Sequence, residues 1–553
     1  MTVTVKTDIQ NVRRERLILA VIILIAALLR FYNLGGNPPS LYWDEVSLGY
    51  NAYSILKTGH DEHGEFLPLT RFIAFGDYKP PGYIYAAVPS IAIFGLTEFA
   101  VRFPSAFAGI LTVLVTYFLV KELFGEKSLN IKHQTLNIGV IAAFLLAISP
   151  WHLQFSRGAF EANLATFFSI SGVYLFLRGR EKGMYWILSA LSFSLSMYTF
   201  NTHRVFVPIL IAGLMVIYRK HLRHNLKYLL ISAALLLTIL SPLVPYLQSR
   251  EGQLRFREVT FLLDVDPIIT ANDRIAREGN SMWAKIVHNR RIQFAMEFLK
   301  HYGDHFRANF LFFSGDVNPR LGTRDQGLLY IVDLPLILTG LYFLVKRKDT
   351  TSALILFWWL SAVLPAAVAR ETPHALRTLN VLPVPQIIAA FGIMSLYGNI
   401  KKKKFFLSLL ITFYSLLILS YLHTYHVHYP KTWAASWQYG YKQLVEYITP
   451  IQQQYERIYV TTSYGRPYIY FLFYMQYPPQ TYWEKTDAER DWFGFWTVKG
   501  FDRYFFRDPP QKSEEDGGKW LVVSVPGELP DKATKLLEII FPNGDTTFEI
   551  GEE

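Results

Sequence analysis

Long apolar runs separated by short polar and basic segments dominate the first 420 or so residues. A membrane crossing needs about 20 apolar residues, and such runs, several of them short, fall at 17–32, 100–120, 137–150, 161–177, 184–199, 205–218, 228–247, 328–345, 352–369, 378–398 and 405–421. The pattern predicts a polytopic α-helical membrane protein with about 11 transmembrane helices. A further apolar stretch, 82–96, contains Pro89 and is short for a crossing, so it reads as a juxtamembrane or re-entrant helix. Beyond residue 421 the pattern changes. ERIYVTTSYG and KWLVVSVPG read as strands, PYIYFLFYM and DKATKLLEII as the helices that follow them, and PNGD before TTFEI as a turn into a final hairpin or edge strand. Residues 422–553 are thus predicted to form a small α/β domain.

Composition agrees, because 18% charged residues fall short of the roughly 25% of an ordinary soluble chain, and disordered, coiled-coil and collagen-like classes fall away. The net charge of +11 would, in a soluble chain, suggest a nucleic-acid partner, but its distribution says otherwise. With the N-terminus cytoplasmic, the inside segments 1–16, 121–136, 178–183, 219–227, 346–350 and 399–404 hold 21 Lys and Arg and 6 Asp and Glu. The short segments opposite hold only Arg157, Arg204, Arg370 and Arg377. The charge is a topology signal, and no nucleic-acid partner is expected. Counting 82–96 as a full span would invert the later loops and put Lys401 to Lys404 outside. The basic N-terminus before an apolar run, with no small-residue cleavage site, reads as a signal anchor. The expected organisation is a cytoplasmic segment 1–16, a membrane domain 17–421 with external loops 33–99 and 248–327, and an extracytoplasmic domain 422–553, all in the plasma membrane. The chain has no cysteine, which excludes disulfides and thiolate metal sites.

Loop 33–99 is the richest in candidate chemistry. Asp44 and Glu45, in LYWDEV, follow two aromatics soon after the first span. A carboxylate partly desolvated at the membrane surface is a good proton acceptor; the alternative is a helix cap, with Asp44 preceding a helix that begins at Val46. Lys79, stiffened by Pro80 and Pro81, suits presentation to an anionic ligand, or is a snorkelling lysine. Arg157 and Glu161 share a helical face if a span begins there, as a functional pair or a simple ion pair at a span entrance. Asn201, His203 and Arg204 occupy another short external turn. His374 and Arg377, three apart in ARETPHALRTLNVLP, are expected at a helix start, where free N–H groups help to hold a phosphate; a polar loop cap is the alternative. His60, Asp61, Glu62 and His63 in GHDEHGE have the ligand types for a divalent cation without a zinc spacing such as HExxH. Metal or acceptor contacts there stand beside a plain solvated loop. Arg250, Arg255, Arg257, Arg290 and Arg291 read as a solvated amphipathic helix.

Taken in order, WDEVSLGYNAYSI, GDYKPPGYIY and VRFPSAFAG resemble the opening of the membrane glycosyltransferases of the C-type fold, which include the protein O-mannosyltransferases and the aminoarabinose transferases that modify lipid A. SRGAFEANLATFF, LFFSGDVNPR and PHALR resemble further stations of that group, and the resemblance covers about residues 17–400. It implies a sugar donor on a polyprenyl phosphate, an acceptor deprotonated outside the cytoplasm, and inversion at the anomeric carbon. Asp44 is implied as general base, Glu45 as its partner and Lys79 at the donor phosphate, with His374, Arg377 and Arg157 as further phosphate candidates. Glu161 stands where several relatives have aspartate and is implied as a further catalytic carboxylate, with acceptor, donor and metal all open as what it touches. Mannose is the default sugar, and protein, lipid and glycan acceptors all stay open. No cofactor is assigned, although a divalent cation stays open. The chemistry fits independently, since transfer from a phosphate-linked donor asks for a base on the acceptor, cations on the departing phosphate and negative charge near an oxocarbenium-like centre. The rival class, a transporter or flippase of lipid-linked saccharides, calls for charges near the bilayer midplane. The apolar runs carry few.

Overall fold

Every one of the eleven apolar runs is helical in the computed structural model, which describes residues 2–75, 77–125, 137–490, 496–511 and 517–553. Among the described residues four helices are long and apolar enough to cross a membrane: Glu98–Phe124, Thr350–Ala367, Leu379–Asn399 and Lys403–Thr432. Ile138–Ile148 and Pro150–Arg157, bent by 56° between them, pass the same test as a pair. The expected count of eleven is not reached on this measure, because several runs are cut short. His203–Ile217 and Leu226–Leu240 have 15 residues each, about 22 Å of helix against a hydrocarbon core of about 30 Å. The 228–247 run breaks at Ser241–Pro242 into Leu226–Leu240 and Leu243–Gln248, where proline supplies no amide. Of the basic loop 121–136, residues 126–136 lie outside the described residues.

The chain divides into two compact units. The first comprises Met1–Arg30, Ala108–Ser156 and Glu161–Tyr421. Its helices approach closely through small residues and serine hydroxyls, as apolar helices do when packing replaces the hydrophobic drive. A Cβ on Gly340 would lie 2.1 Å from the Ile388 carbonyl oxygen, and one on Gly392 would lie 2.1 Å from that of Leu336. Asp333–Arg347 and Val384–Asn399 therefore touch backbone to backbone. Ser169 and Ser196 share a 2.7 Å hydrogen bond, and the Ser189 hydroxyl donates to the Gly172 carbonyl at 2.8 Å. In the 248–327 loop the one amphipathic helix expected for the arginines is replaced by separate helices, Arg250–Val259, Asp266–Arg277 and Arg290–Asp304, with Arg250, Arg255 and Arg257 on the first and Arg290 and Arg291 on the last.

The second unit comprises Phe31–Phe107, Arg157–Phe160 and Leu422–Glu553. It begins with helix Trp43–Thr58, a short antiparallel hairpin of β1 (Phe72–Ala74) and β2 (Asp77–Lys79), and helix Gly82–Phe94. At 13 residues the last spans about 20 Å, too short to cross. The tail supplies β3 (Arg457–Val460), β4 (Thr486–Arg490), β5 (Trp496–Phe501), β6 (Tyr504–Phe505), β7 (Trp520–Ser524), β8 (Thr534–Ile540) and β9 (Thr546–Glu552). They form one sheet in the order β4-β5-β6-β3-β7-β9-β8, with β3 parallel to β6 and β7 and the other pairs antiparallel. Helix Pro467–Tyr474 falls as expected. DKATKLLEII does not: it is the edge strand β8, paired with β9 across the PNGD turn, which the Phe541 N–H closes on the Asp545 carbonyl at 2.7 Å.

Candidate active site

Asp44 and Glu45 stand in the first turn of helix Trp43–Thr58. The helix starts three residues before Val46, so Asp44 is not its cap. Glu45 reaches back instead, accepting from the Tyr42 N–H at 3.1 Å. From there the two carboxylates diverge. Glu45 is buried and accepts from Arg102 Nε and Nη2, both at 3.0 Å, and from the Ala159 N–H at 2.7 Å. Arg102 is fully buried and spends its other donors on the carbonyls of Leu34, Pro38 and Ser40 at 3.1, 2.9 and 2.5 Å. This charge-assisted cluster ties the 34–40 segment, the helix start and residue 159 together, and it occupies both oxygens of Glu45.

Asp44 is open by contrast, its side chain 37% exposed, and its Oδ1 meets Lys79 Nζ at 3.1 Å. The enclosure expected of it from the neighbouring aromatics is not found. Lys79 ends β2, and Pro80 and Pro81 lead directly into helix Gly82–Phe94, so the cation is presented from a stiff corner.

Arg157 is buried at the end of helix Pro150–Arg157. Its Nη2 donates to the Asn37 carbonyl at 2.9 Å, its Nε lies 3.3 Å from the Tyr425 hydroxyl, and its guanidinium lies over the Tyr425 ring. Glu161 opens the next helix, Glu161–Gly179, after a non-helical step at 158–160. The expectation that Arg157 and Glu161 share one helical face is therefore corrected: they belong to different helices and to different units.

His60, Asp61, Glu62 and His63 do not converge on one point, although His63 Nε2 lies 3.5 Å from Glu62 Oε1. His60 Nδ1 pairs with the Thr58 carbonyl at 2.8 Å and its ring meets Phe66 and Trp483 edge-on. Asp61 accepts from the amides of His63 and Glu65 at 2.9 and 2.8 Å. Glu62 is fully buried and accepts from Asn51 Nδ2 at 2.7 Å and from the Tyr468 hydroxyl at 3.0 Å. His63 stacks on Trp496. Burial pushes the Glu62 carboxyl up to about 8 and that of Asp61 to about 6, and burial with nearby Arg490 and Arg71 pushes His63 down to about 4. Among the described residues no group of three or more His, Cys, Asp or Glu is arranged to hold a metal ion. The cation-ligand expectation for this loop therefore has no site, because its side chains are spent on packing and turn formation.

His374 and Arg377 lie in the first unit, in the turn that leads into Leu379–Asn399 and ahead of its first residue rather than within its first turn. His374 Nδ1 lies 3.4 Å from the Arg377 N–H. Two stretches singled out in the sequence converge here, joined by Trp151. Asp316 of LFFSGDVNPR accepts from the Ala375 N–H of PHALR at 2.7 Å, and Trp151 Nε1 of SPWHLQF donates to the Ala375 carbonyl at 3.1 Å. Burial, Arg377, His305 and Arg255 hold His374 well below the usual imidazole range. Sequence reasoning missed Arg102, Asp316 and Tyr425 as organising groups. VRFPS and LFFSGDVNPR carried the signal for the first two, but Tyr425 carried none.

Comparison with known proteins fits this architecture. Residues 78–246 match the family model "Dolichyl-phosphate-mannose-protein mannosyltransferase". A Bacillus subtilis (strain 168) protein named "Putative mannosyltransferase YkcB" is 25% identical over 232 residues, 41% of this chain and 30% of that protein. The match thus spans under a third of that relative's length. ArnT from Cupriavidus metallidurans in the apo state superposes with a TM-score of 0.54 over 97% of both chains at 11% identity. Its complex with undecaprenyl phosphate gives 0.53 over 96% of this chain and 97% of that one, also at 11% identity. The chain is a multi-pass helical membrane protein that shares the C-type glycosyltransferase fold of ArnT and resembles the protein O-mannosyltransferases in sequence over residues 78–246.

Proposed function

We propose that this chain is a glycosyltransferase that moves a sugar, mannose by default, from a polyprenyl phosphate to an acceptor hydroxyl at the external face of the plasma membrane. The observation that carries the reading is the 3.1 Å contact between a partly exposed Asp44 and a largely enclosed Lys79, beside a Glu45 that is locked away. A carboxylate and an ammonium are what this reaction needs side by side. The donor phosphate competes with Asp44 for Lys79, which frees the carboxylate for the acceptor. The acceptor oxygen then bonds to the anomeric carbon, its proton passes to Asp44, and the bond from carbon to phosphate oxygen breaks with its electron pair leaving on the phosphate, beside Lys79. Inversion follows from attack opposite the departing phosphate, as the family resemblance implies.

Arg157 serves in this reading to hold the 33–37 segment. The phosphate assignments of His374 and Arg377, and a substrate-facing role for Glu161, rest on the motif resemblance alone. Protein, lipid and glycan hydroxyls are all admissible acceptors. Transport of lipid-linked saccharides is not favoured, since the fold and family matches are to transferases. The test is transfer from polyprenyl-phosphate mannose by the purified chain and its Lys79→Ala variant. Loss of one charge-assisted contact, about 2 kcal/mol, raises the donor KM roughly 30-fold. An unchanged donor KM would remove Lys79 from the site.

A further inference from the structure

The first amides of a helix have no partners within it, and the residue before helix Trp43–Thr58 supplies no side-chain cap. A distant residue does. Gln438 Oε1 accepts from the Trp43 N–H at 3.0 Å and from the Tyr470 hydroxyl at 2.8 Å, and its Nε2 donates to the Tyr464 carbonyl at 2.5 Å. Tyr470 also lies 3.1 Å from the Leu41 carbonyl. Gln438 is buried and held in the left-handed region at φ 53°, so its amide is aimed by its backbone as well as by three partners. The Trp43 ring lies against Gly465, where a Cβ would come within 2.1 Å of it and φ is +114°. Tail residues at 438, 464, 465 and 470 thus grip residues 41–43, immediately ahead of Asp44.

A second grip follows farther along the same helix. Asn51 and Tyr468 both donate to the buried Glu62 carboxylate, and Trp483 Nε1 donates to the Glu62 carbonyl at 3.0 Å. Gly49 seats the helix on Phe473, whose ring would lie 2.7 Å from an added Cβ. The helix that presents Asp44 is therefore fixed from the tail at its start and near its middle.

We infer that Gln438 is a positioning residue: it sets the start of helix Trp43–Thr58 and so the point at which the Asp44 carboxylate meets Lys79, which makes the C-terminal domain part of the catalytic scaffold. The inference rests on the reading of Asp44 as general base. A misplacement of about 1 Å costs on the order of 100-fold in rate with little effect on binding at a distance.

The test compares Gln438→Ala, Gln438→Glu, Tyr470→Phe and Asp44→Asn in the purified full-length protein, with polyprenyl-phosphate mannose as donor and kcat taken per monodisperse enzyme. Gln438→Ala is expected to lower kcat by about 10-fold or more with the donor KM within about 3-fold of wild type. Gln438→Glu keeps the acceptor for the Trp43 N–H but replaces the donor to the Tyr464 carbonyl with a carboxylate oxygen, so it is expected to lower kcat as well. Should Gln438→Ala fail to fold, Tyr470→Phe removes one of the bonds that aim Gln438 and is expected to lower kcat with the same split. Wild-type kcat in Gln438→Ala, or in Tyr470→Phe where that variant stands in, overturns the inference. An inactive Asp44→Asn beside a wild-type Gln438→Ala sinks this inference alone. A fully active Asp44→Asn sinks the general-base reading.

Discussion

Asp44 and Glu45 are neighbours with the same charge and opposite fates, and what separates them is Arg102, which claims both oxygens of one and leaves the other to Lys79. Sequence reading could place the pair near the membrane surface but not assign each member, because the deciding partner lies far along the chain. Glu62 shows the same limit. Written among histidines and acids it resembles a ligand cluster, yet it is a buried packing group. Its carboxyl is pushed from 4.5 up to about 8 by burial, so the folded chain keeps a proton that the unfolded chain releases. That contribution to stability is present at low pH and is lost as pH rises to about 8. Asp61, raised to about 6, acts in the same sense at lower pH; His63, lowered to about 4, acts in the opposite sense below its unfolded value of 6.5. Between about pH 6.5 and 8.5 the fall in melting temperature is therefore expected to come chiefly from Glu62 and to flatten in Glu62→Gln. Parallel melting curves for wild type and variant over that range would contradict the assignment.

At the scale of elements, hydrophobic periodicity located the helices well, since every predicted apolar run is helical. It failed at β8, where DKATKLLEII is made of good helix formers but pairs with β9 through a tight turn; long-range pairing overrides local preference there. Periodicity was also blind to how closely the helices approach. Gly340 and Gly392 place Asp333–Arg347 and Val384–Asn399 in backbone contact, a feature that glycine's presence alone does not announce. Gly340→Ala forces a Cβ against the Ile388 carbonyl and is expected to destabilise by about 1–3 kcal/mol. Gly303→Ala, in helix Arg290–Asp304 with nothing within 4 Å of its Cβ, is expected to be neutral or to stabilise by up to about 1 kcal/mol. Thermal unfolding of the two variants in one detergent provides the comparison, and equal melting temperatures would refute the close-packing account.

For the whole molecule, the charge distribution turned an apparent nucleic-acid signal into a membrane topology, and the ordered motifs pointed to the fold that the chain shares with ArnT over 97% of its length. The motifs did not reveal that 422–553 joins residues 31–107 in one compact unit, because the contacts that build it come from tyrosines and glutamines with no distinctive spacing. Within that unit the tail, the 33–99 segment and Arg157–Phe160 carry a small set of charges, of which a partly exposed Asp44 is paired with Lys79. Asp44 is the residue on which sugar transfer most directly depends in the proposed reaction. Sugar transfer from polyprenyl-phosphate mannose should fall by about 10²–10⁴-fold in Asp44→Asn, the range of a lost general base, while the protein stays folded and still binds the lipid phosphate. Transfer within about threefold of wild type would contradict it.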